Sequence, residues 1–87
     1  MDLKIGKIRK ISAAGNLKAE ASVIVENALS LNKIKVIEGS NGLFISMPSE
    51  KYTDSEGTDK YAPFFHPIDK ESREALQKLV LDAYNEL

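Results

Sequence analysis

The sequence predicts an α+β fold: a four- to five-stranded antiparallel sheet over residues 2–67, followed by one amphipathic helix at about 70–86. Two observations lead to this prediction. Runs rich in β-branched residues alternate with polar residues at a period of two, and glycine and asparagine separate the runs. The C-terminal segment instead spaces its apolar side chains at a helical period.

The chain has 87 residues and no cysteine, and it contains one histidine. This length predicts a single domain, residues 1–87, with a small core and marginal stability as a monomer. Without cysteine, disulfides and thiolate metal sites are excluded. Because a partner subunit is the remaining means of reinforcement, we expect a homodimer.

Three strands are predicted in the N-terminal half. Leu3 and Ile5 start the first strand, and the alternation shifts after Gly6, which indicates a β-bulge. The second strand spans 17–26 and the third 29–38. Because the second strand has small alanines on one face, another element is expected to pack closely on that face.

Turns are predicted at 14–16, at 26–28 and at the Gly-Ser-Asn-Gly segment 39–42, where asparagine and glycine supply positive φ. A fourth strand at 43–47 is apolar almost throughout. We therefore expect it to be central in the sheet or covered on both faces. Pro48 ends this strand because proline donates no ladder hydrogen bond.

Residues 49–62 are predicted to form a polar loop, with a short hairpin around Gly57 as an alternative for part of it. The segment 63–67 is expected to return to the core. Asp69 is placed to cap the helix. One apolar stripe then follows at helical spacing: Leu76, Leu79, Val80, Ala83, Tyr84 and Leu87.

The net charge of −1 conceals an asymmetry along the chain. Residues 1–35 contain seven basic and three acidic side chains, whereas the remainder contains five basic and ten acidic ones. A basic half could attract an anionic polymer, although a charge-balanced solvated surface is the alternative. No apolar leader or membrane-length apolar run is present, and the absence of cysteine fits a cytoplasmic location.

No residue constellation predicts catalysis, a cofactor, a metal site or a small-molecule substrate, so we expect a protein that is not an enzyme. The segment 39–42 lacks the ending of a phosphate-binding loop. His66 has no second ligand and is expected to be packed and bonded to backbone. The acids Asp54, Glu56 and Asp59 lack the spacing of a calcium loop and are predicted to be solvated.

Four cations lie near one another in the sequence. Lys51 and Lys60 flank the long loop, and Lys70 and Arg73 lie in the first turn of the helix. Together they could contact phosphates, and ordinary solvated cations paired with nearby acids are the alternative. Tyr52 and Tyr61 lie beside these lysines. They could stack on unpaired bases or anchor the loop to the sheet.

One long segment is specific enough to suggest a family. It reads Val-Ile-Glu-Gly-Ser-Asn-Gly-Leu-Phe-Ile-Ser-Met-Pro-Ser over 36–49. The match extends to Ile-Arg-Lys-Ile at 8–11, the alanine-containing strand at 17–25, His-Pro-Ile at 66–68, and the helix with Arg73 that ends near Tyr84. With these features the chain resembles the stage V sporulation protein G family, SpoVG-like bacterial septation and sporulation regulators.

The resemblance implies a small antiparallel sheet with one C-terminal helix, dimerised through strands. It also implies a cytoplasmic regulator that binds DNA and, in some members, RNA, through the loop after Met-Pro-Ser and the helix. The predicted nucleic-acid site of this chain comprises Lys51, Tyr52, Lys60, Lys70 and Arg73, with Arg9 and Lys10 from the first strand.

This chain departs from the family pattern after Pro48. Glu50 takes a position that is usually basic, the loop is longer at 53–57, and Phe64 and Phe65 replace a shorter approach to His-Pro. These changes bear on affinity and target more than on fold. The overall acidity of the chain and Glu50 favour an alternative function, a protein-interaction module of cell division that acts through an exposed strand edge or the long loop.

Overall fold

The computed structural model describes residues 2–11 and 15–87. Its elements, in chain order, are β1 Leu3–Lys10, β2 Leu17–Val25, β3 Leu29–Gly39, β4 Gly42–Ser46, β5 Ser49–Thr53, β6 Asp59–Pro63 and α1 Lys70–Asn85. The first four strands form an antiparallel sheet in the order β1-β2-β3-β4, and β5 and β6 form a separate two-stranded sheet. The predicted α+β class with one C-terminal helix is therefore confirmed.

The core lies between one face of the four-stranded sheet and α1. Ala19, Ala21 and Val23 of β2 are 0–3% exposed on this face. The small alanines leave room for the buried side chains of the helix, Leu76 and Val80. This arrangement confirms that a packed element explains the alanines of β2.

Local signals place the hairpin of β2 and β3. Glu26 and Asn27 have φ of 54° and 52°, and the N–H of Ala28 donates to the carbonyl of Val25 at 2.9 Å. Two successive central residues of positive φ give a turn whose twist matches that of the flanking strands. Val25 pairs with Leu29, so three residues connect the strands. The predicted turn at 26–28 is confirmed. Of the turn predicted at 14–16, Ala14 lies outside the described residues.

The turn between β3 and β4 is also confirmed, but its φ values differ from the prediction. Gly39 pairs with Gly42 around a two-residue loop. Gly42 has a φ of +114°, whereas Asn41 does not have positive φ. Glycine alone therefore supplies the left-handed residue, because it has no Cβ to clash there.

Two irregularities face each other across β2. The register of β1 shifts between Ile5 and Lys7, as predicted from Gly6. A Cβ on Gly6 would lie 2.8 Å from Ser22 Oγ, so this close approach requires glycine. On the other side of Ser22, the register of β3 shifts near Lys33, whose φ is 65°.

Of three predictions for the middle of the chain, one is wrong and two are confirmed only in part. The apolar strand β4 is not central, because it lies at the edge of its sheet. Residues 49–62 are mostly strand, and the alternative hairpin around Gly57 is the structure observed. In the segment 63–67, Phe65 packs against the core, but Phe64 is 68% exposed and faces solvent.

The helix begins as predicted. The carboxylate of Asp69 accepts the N–H of Ser72 at 2.7 Å. Of the predicted stripe, most members are buried or pack against the core, whereas Leu87 follows the helix and is 50% exposed. Within residues 2–11 and 15–87, no helix has the length and apolar character needed to cross a membrane.

Candidate nucleic-acid interface

The β5–β6 hairpin brings together three of the predicted site residues. Its register places Lys51 opposite Tyr61 and Tyr52 opposite Lys60. Because side chains alternate across a strand, one lysine–tyrosine pair lies on each face of the hairpin. Tyr52 is 46% exposed and Tyr61 is 67% exposed. Two aromatic rings are thus available to solvent beside cations.

Both hairpin lysines are engaged by aspartates. Lys51 Nζ lies 3.2 Å from Asp59 Oδ2, and Lys60 Nζ lies 3.1 Å from Asp54 Oδ2. Such exposed ion pairs are weak and are screened by salt. The lysines can therefore exchange a carboxylate for another anion, but the hairpin as a whole is acidic, since residues 49–63 contain four carboxylates and two lysines.

Asp54 organises the turn of the hairpin. Its Oδ1 accepts the N–H groups of Glu56 and Thr58, each at 2.9 Å. The Thr58 N–H and then the Lys60 ammonium lower the pKa of Asp54. Asp54 therefore acts as a structural acceptor in the turn. Among the described residues, no cluster of histidine or acidic side chains has metal-binding geometry.

The start of the helix contributes two further predicted cations, Lys70 and Arg73. Lys70 Nζ lies 3.9 Å from Glu74 Oε1, while Arg73 has no ion-pair partner among the residues that the structure describes. The Asp69 cap already occupies the Ser72 N–H, and this N–H lowers the pKa of Asp69. The positive end of the helix is thus partly neutralised.

The two predicted residues of β1 lie on opposite faces of the sheet. Arg9 of β1 forms an ion pair with its cross-strand partner Glu20 of β2, with 3.6 Å between Arg9 Nη2 and Glu20 Oε1. Lys10 is on the helix side, where its Nζ lies 6.0 Å from the ring centroid of Tyr84. Lys10 therefore links β1 to α1, and only Arg9 belongs to the face turned away from the helix.

Beside Arg9, that outer face of the sheet carries three lysines that the sequence did not single out. Lys7 and Arg9 of β1 share it with Lys33 and Lys35 of β3. The signal was present in the excess of seven basic over three acidic residues in positions 1–35. Their common location could not be inferred, because two register shifts decide which side chains share a face.

His66 is not the packed residue that the sequence predicted. Its side chain is exposed, so the prediction that it is packed is wrong. Its Nδ1 lies 3.1 Å from the carbonyl oxygen of Pro67. The predicted bond to backbone is therefore confirmed.

The architecture defines a class of small α+β proteins in which one helix covers one face of an antiparallel sheet. A separate two-stranded hairpin, β5–β6, precedes the helix in the chain. A model of the SpoVG family matches residues 1–86. This chain belongs to the SpoVG family, as the resemblance in its sequence predicted.

Related proteins agree with this assignment. The chain is 49% identical over 87 residues to the "Putative septation protein SpoVG" of Clostridium perfringens strain SM101, covering 100% of this chain and 92% of the relative. Proteins with the same name from Clostridium novyi and Lachnospira eligens are 50% and 42% identical. These alignments cover 90% and 97% of this chain and 74% and 91% of the relatives. The family is thus one named for septation and sporulation.

Proposed function

We propose that this protein is a cytoplasmic, nucleic-acid-binding regulator of septation or sporulation that acts as a homodimer. The observation that carries the proposal is the pair of lysine–tyrosine neighbours on the two faces of the β5–β6 hairpin. A tyrosine ring can stack on an unpaired base while the adjacent lysine contacts a phosphate. The family resemblance implies the same activity and the same region of the chain.

The hairpin is suited to a mobile contact with a flexible polymer. Every residue of β5 and β6 is exposed, and the two strands pack chiefly against each other. An isolated two-stranded hairpin is only marginally stable in water. A bound strand of DNA or RNA would therefore stabilise it by covering the tyrosine on the face that it contacts.

The test is a titration of labelled single-stranded DNA, single-stranded RNA and duplex DNA at fixed low salt. The wild-type protein should bind at least one of them, with an affinity that falls as salt rises. The variant Tyr52→Leu/Tyr61→Leu removes the rings and should weaken single-strand binding by about tenfold, since stacking contributes roughly 1–3 kcal/mol per base.

Phe64→Leu is the matched control, because Phe64 follows the same hairpin, is 68% exposed and lies outside the lysine–tyrosine pairs. It should bind as the wild type does. Absence of binding to all three polymers would refute the proposed function. If the tyrosine variant and the control bind with equal affinity, the hairpin is not part of the nucleic-acid site.

The homodimer is proposed to form through the edge of β4. The segment Gly42–Ser46 contains no charge and no proline, and β3–β4 pairing shows no register shift. Natural sheets normally protect an exposed edge with charged residues, proline or β-bulges, and β4 has none of these. Antiparallel pairing with β4 of a second copy would make this apolar strand central, in agreement with its composition.

Sedimentation or light scattering tests the dimer. The variant Phe44→Lys adds charge to the exposed side of β4 and should convert a dimer into a monomer, whereas Lys4→Gln on the opposite edge strand β1 should not. A wild-type monomer at micromolar concentration would contradict the proposal.

The second candidate function, a protein-interaction module of cell division, is favoured by the same uncharged edge, because β4 could accept a strand from a different protein. It predicts that a partner captured from a lysate stays bound after nuclease treatment and at about 0.5 M salt, where electrostatic contacts are screened. Loss of every partner under both treatments would exclude it.

A further inference from the structure

We infer that the outer face of the four-stranded sheet, the face turned away from α1, binds the phosphodiester backbone of nucleic acid at a hollow centred on Ser22. The inference rests on the nucleic-acid function proposed above and assigns that function a second surface. It depends on where the two bulges place the basic side chains of β1 and β3.

The strand register arranges these side chains in two neighbouring rows. In one row, Arg9, Glu20 and Lys35 are cross-strand partners. In the next row, Lys7 is the partner of Ser22 on one side. On the other side, Lys33 lies in the register shift between the pairs Ala21–Ile34 and Val23–Leu31. Four cations of two strands therefore surround β2.

The two bulges produce a concave site at Ser22. Ser22 Oγ accepts the N–H of Lys7 at 3.0 Å, which holds the β1 bulge against β2. Lys7, Arg9 and Lys33 line a surface depression of about 560 Å³ together with Ser22. Bulges bend a strand and change the direction of its side chains, and proteins use them beside functional sites. Here both bulges direct lysines to one depression.

The charge of this face is not neutralised locally. Glu20 is the one carboxylate in the two rows, and its described ion pair is with Arg9. Lys7, Lys33 and Lys35 have no ion-pair partner among residues 2–11 and 15–87. The hairpin segment 49–63, by contrast, carries four carboxylates and two lysines. The outer face therefore offers a phosphate backbone the stronger attraction.

An aromatic side chain extends the same face. Lys35 is paired with Ser46, and the next pair on this face is Ile37 with Phe44. Phe44 is 41% exposed. Four-stranded sheets that place aromatic rings beside cations are a recurring platform for single-stranded nucleic acid. We therefore expect a bound nucleic-acid strand to place a phosphate at Ser22 and a base over Phe44. We also expect this face to bind single-stranded nucleic acid more tightly than duplex.

The test compares two variants that remove the same charge. The sheet variant is Lys7→Gln/Lys33→Gln/Lys35→Gln, and the hairpin–helix variant is Lys51→Gln/Lys60→Gln/Lys70→Gln; all six lysines are exposed. Lys78→Gln, on α1 and outside both surfaces, is the control and should bind as the wild type does. Fluorescence anisotropy with a labelled oligothymidylate at low salt should show a loss of about tenfold or more for the sheet variant. The hairpin–helix variant should lose less, about threefold, because its lysines are already paired with carboxylates. The plot of log affinity against log salt should be less steep by about 2 for the sheet variant.

Each outcome is decisive once thermal melting shows that both variants are folded. If the wild type fails to bind, the proposed function is refuted and this inference with it. If the wild type binds and only the hairpin–helix variant is weakened, the sheet surface is refuted while the nucleic-acid function stands. Displacement of the oligonucleotide by inorganic phosphate at equal phosphate concentration would assign the hollow to a free anion and also overturn the inference.

Phe44→Leu tests the base contact independently. It should weaken the single strand by about fivefold and leave duplex binding unchanged, because duplex bases are already stacked. An equal effect on both polymers, or no effect on either, would remove Phe44 from the surface.

Discussion

The sheet–helix body, formed by β1–β4 and α1, and the β5–β6 hairpin are held together by different forces. In the body, seven apolar side chains from the sheet and the helix are buried, and none of the buried residues described is polar or charged. In the hairpin every strand residue is exposed. Its order comes from the ladder, from Asp54 in the turn and from two exposed ion pairs.

The comparison shows how stability and adaptability are separated in one short chain. Burial of apolar area is the main source of folding free energy, so stability depends on the body. The hairpin contributes little to the core and can change its sequence at little cost. The departures from the family pattern that the sequence predicts, Glu50 and a longer loop at 53–57, therefore lie where a change costs the core little.

The largest expected effect comes from a cavity in the body. Ile34 is fully buried beneath the helix. Ile34→Ala should lower the free energy of unfolding by about 2–5 kcal/mol, as measured by urea denaturation. Phe64→Ala, at the end of the hairpin, should change it by at most about 0.5 kcal/mol. Similar losses in the two variants would mean that the hairpin is part of the core.

A smaller and local effect is expected at the turn of the hairpin. Asp54→Ala removes the acceptor of two N–H groups, so amide hydrogen exchange at Glu56, Thr58 and Tyr61 should accelerate by about tenfold, since local opening governs it. Exchange at Val36 in the body should not change. Ser55→Ala, the next residue, serves as the control. Uniform acceleration across both regions would contradict the separation.

The smallest effect is a pH dependence at the helix start. Because the folded state lowers the pKa of Asp69, its stabilising effect is complete above the ordinary pKa of aspartate and is lost as pH falls through the lowered value. Asp69→Asn keeps the acceptor but does not titrate. As the pH falls below the ordinary pKa of aspartate, the melting temperature of this variant should therefore fall less than that of the wild type. Parallel curves for the two proteins would exclude this role.

Elements encoded by neighbouring residues were predictable. The bulge at Gly6, the turn at 26–28, the Asp69 cap and the buried helical positions Leu76 and Val80 all follow from conformational preferences or spacing within a few residues. The candidate site was only partly predictable. Residue type and position were enough to select Tyr52 and Lys60. Their cross-strand pairing depends on the register of the β5–β6 hairpin, and the polar sequence of this segment predicts a loop.

Short-range stereochemistry and the period of the apolar side chains thus account for β1–β4, the turns between β2, β3 and β4, and the helix of this protein. The edge position of β4, the exposure of the hairpin and the gathering of Lys7, Lys33 and Lys35 on one face arise from long-range pairing. Two register shifts around Ser22 change which side chains share a face, and a displacement of one residue reverses that assignment. Such pairing depends on contacts between distant residues, which no local pattern specifies.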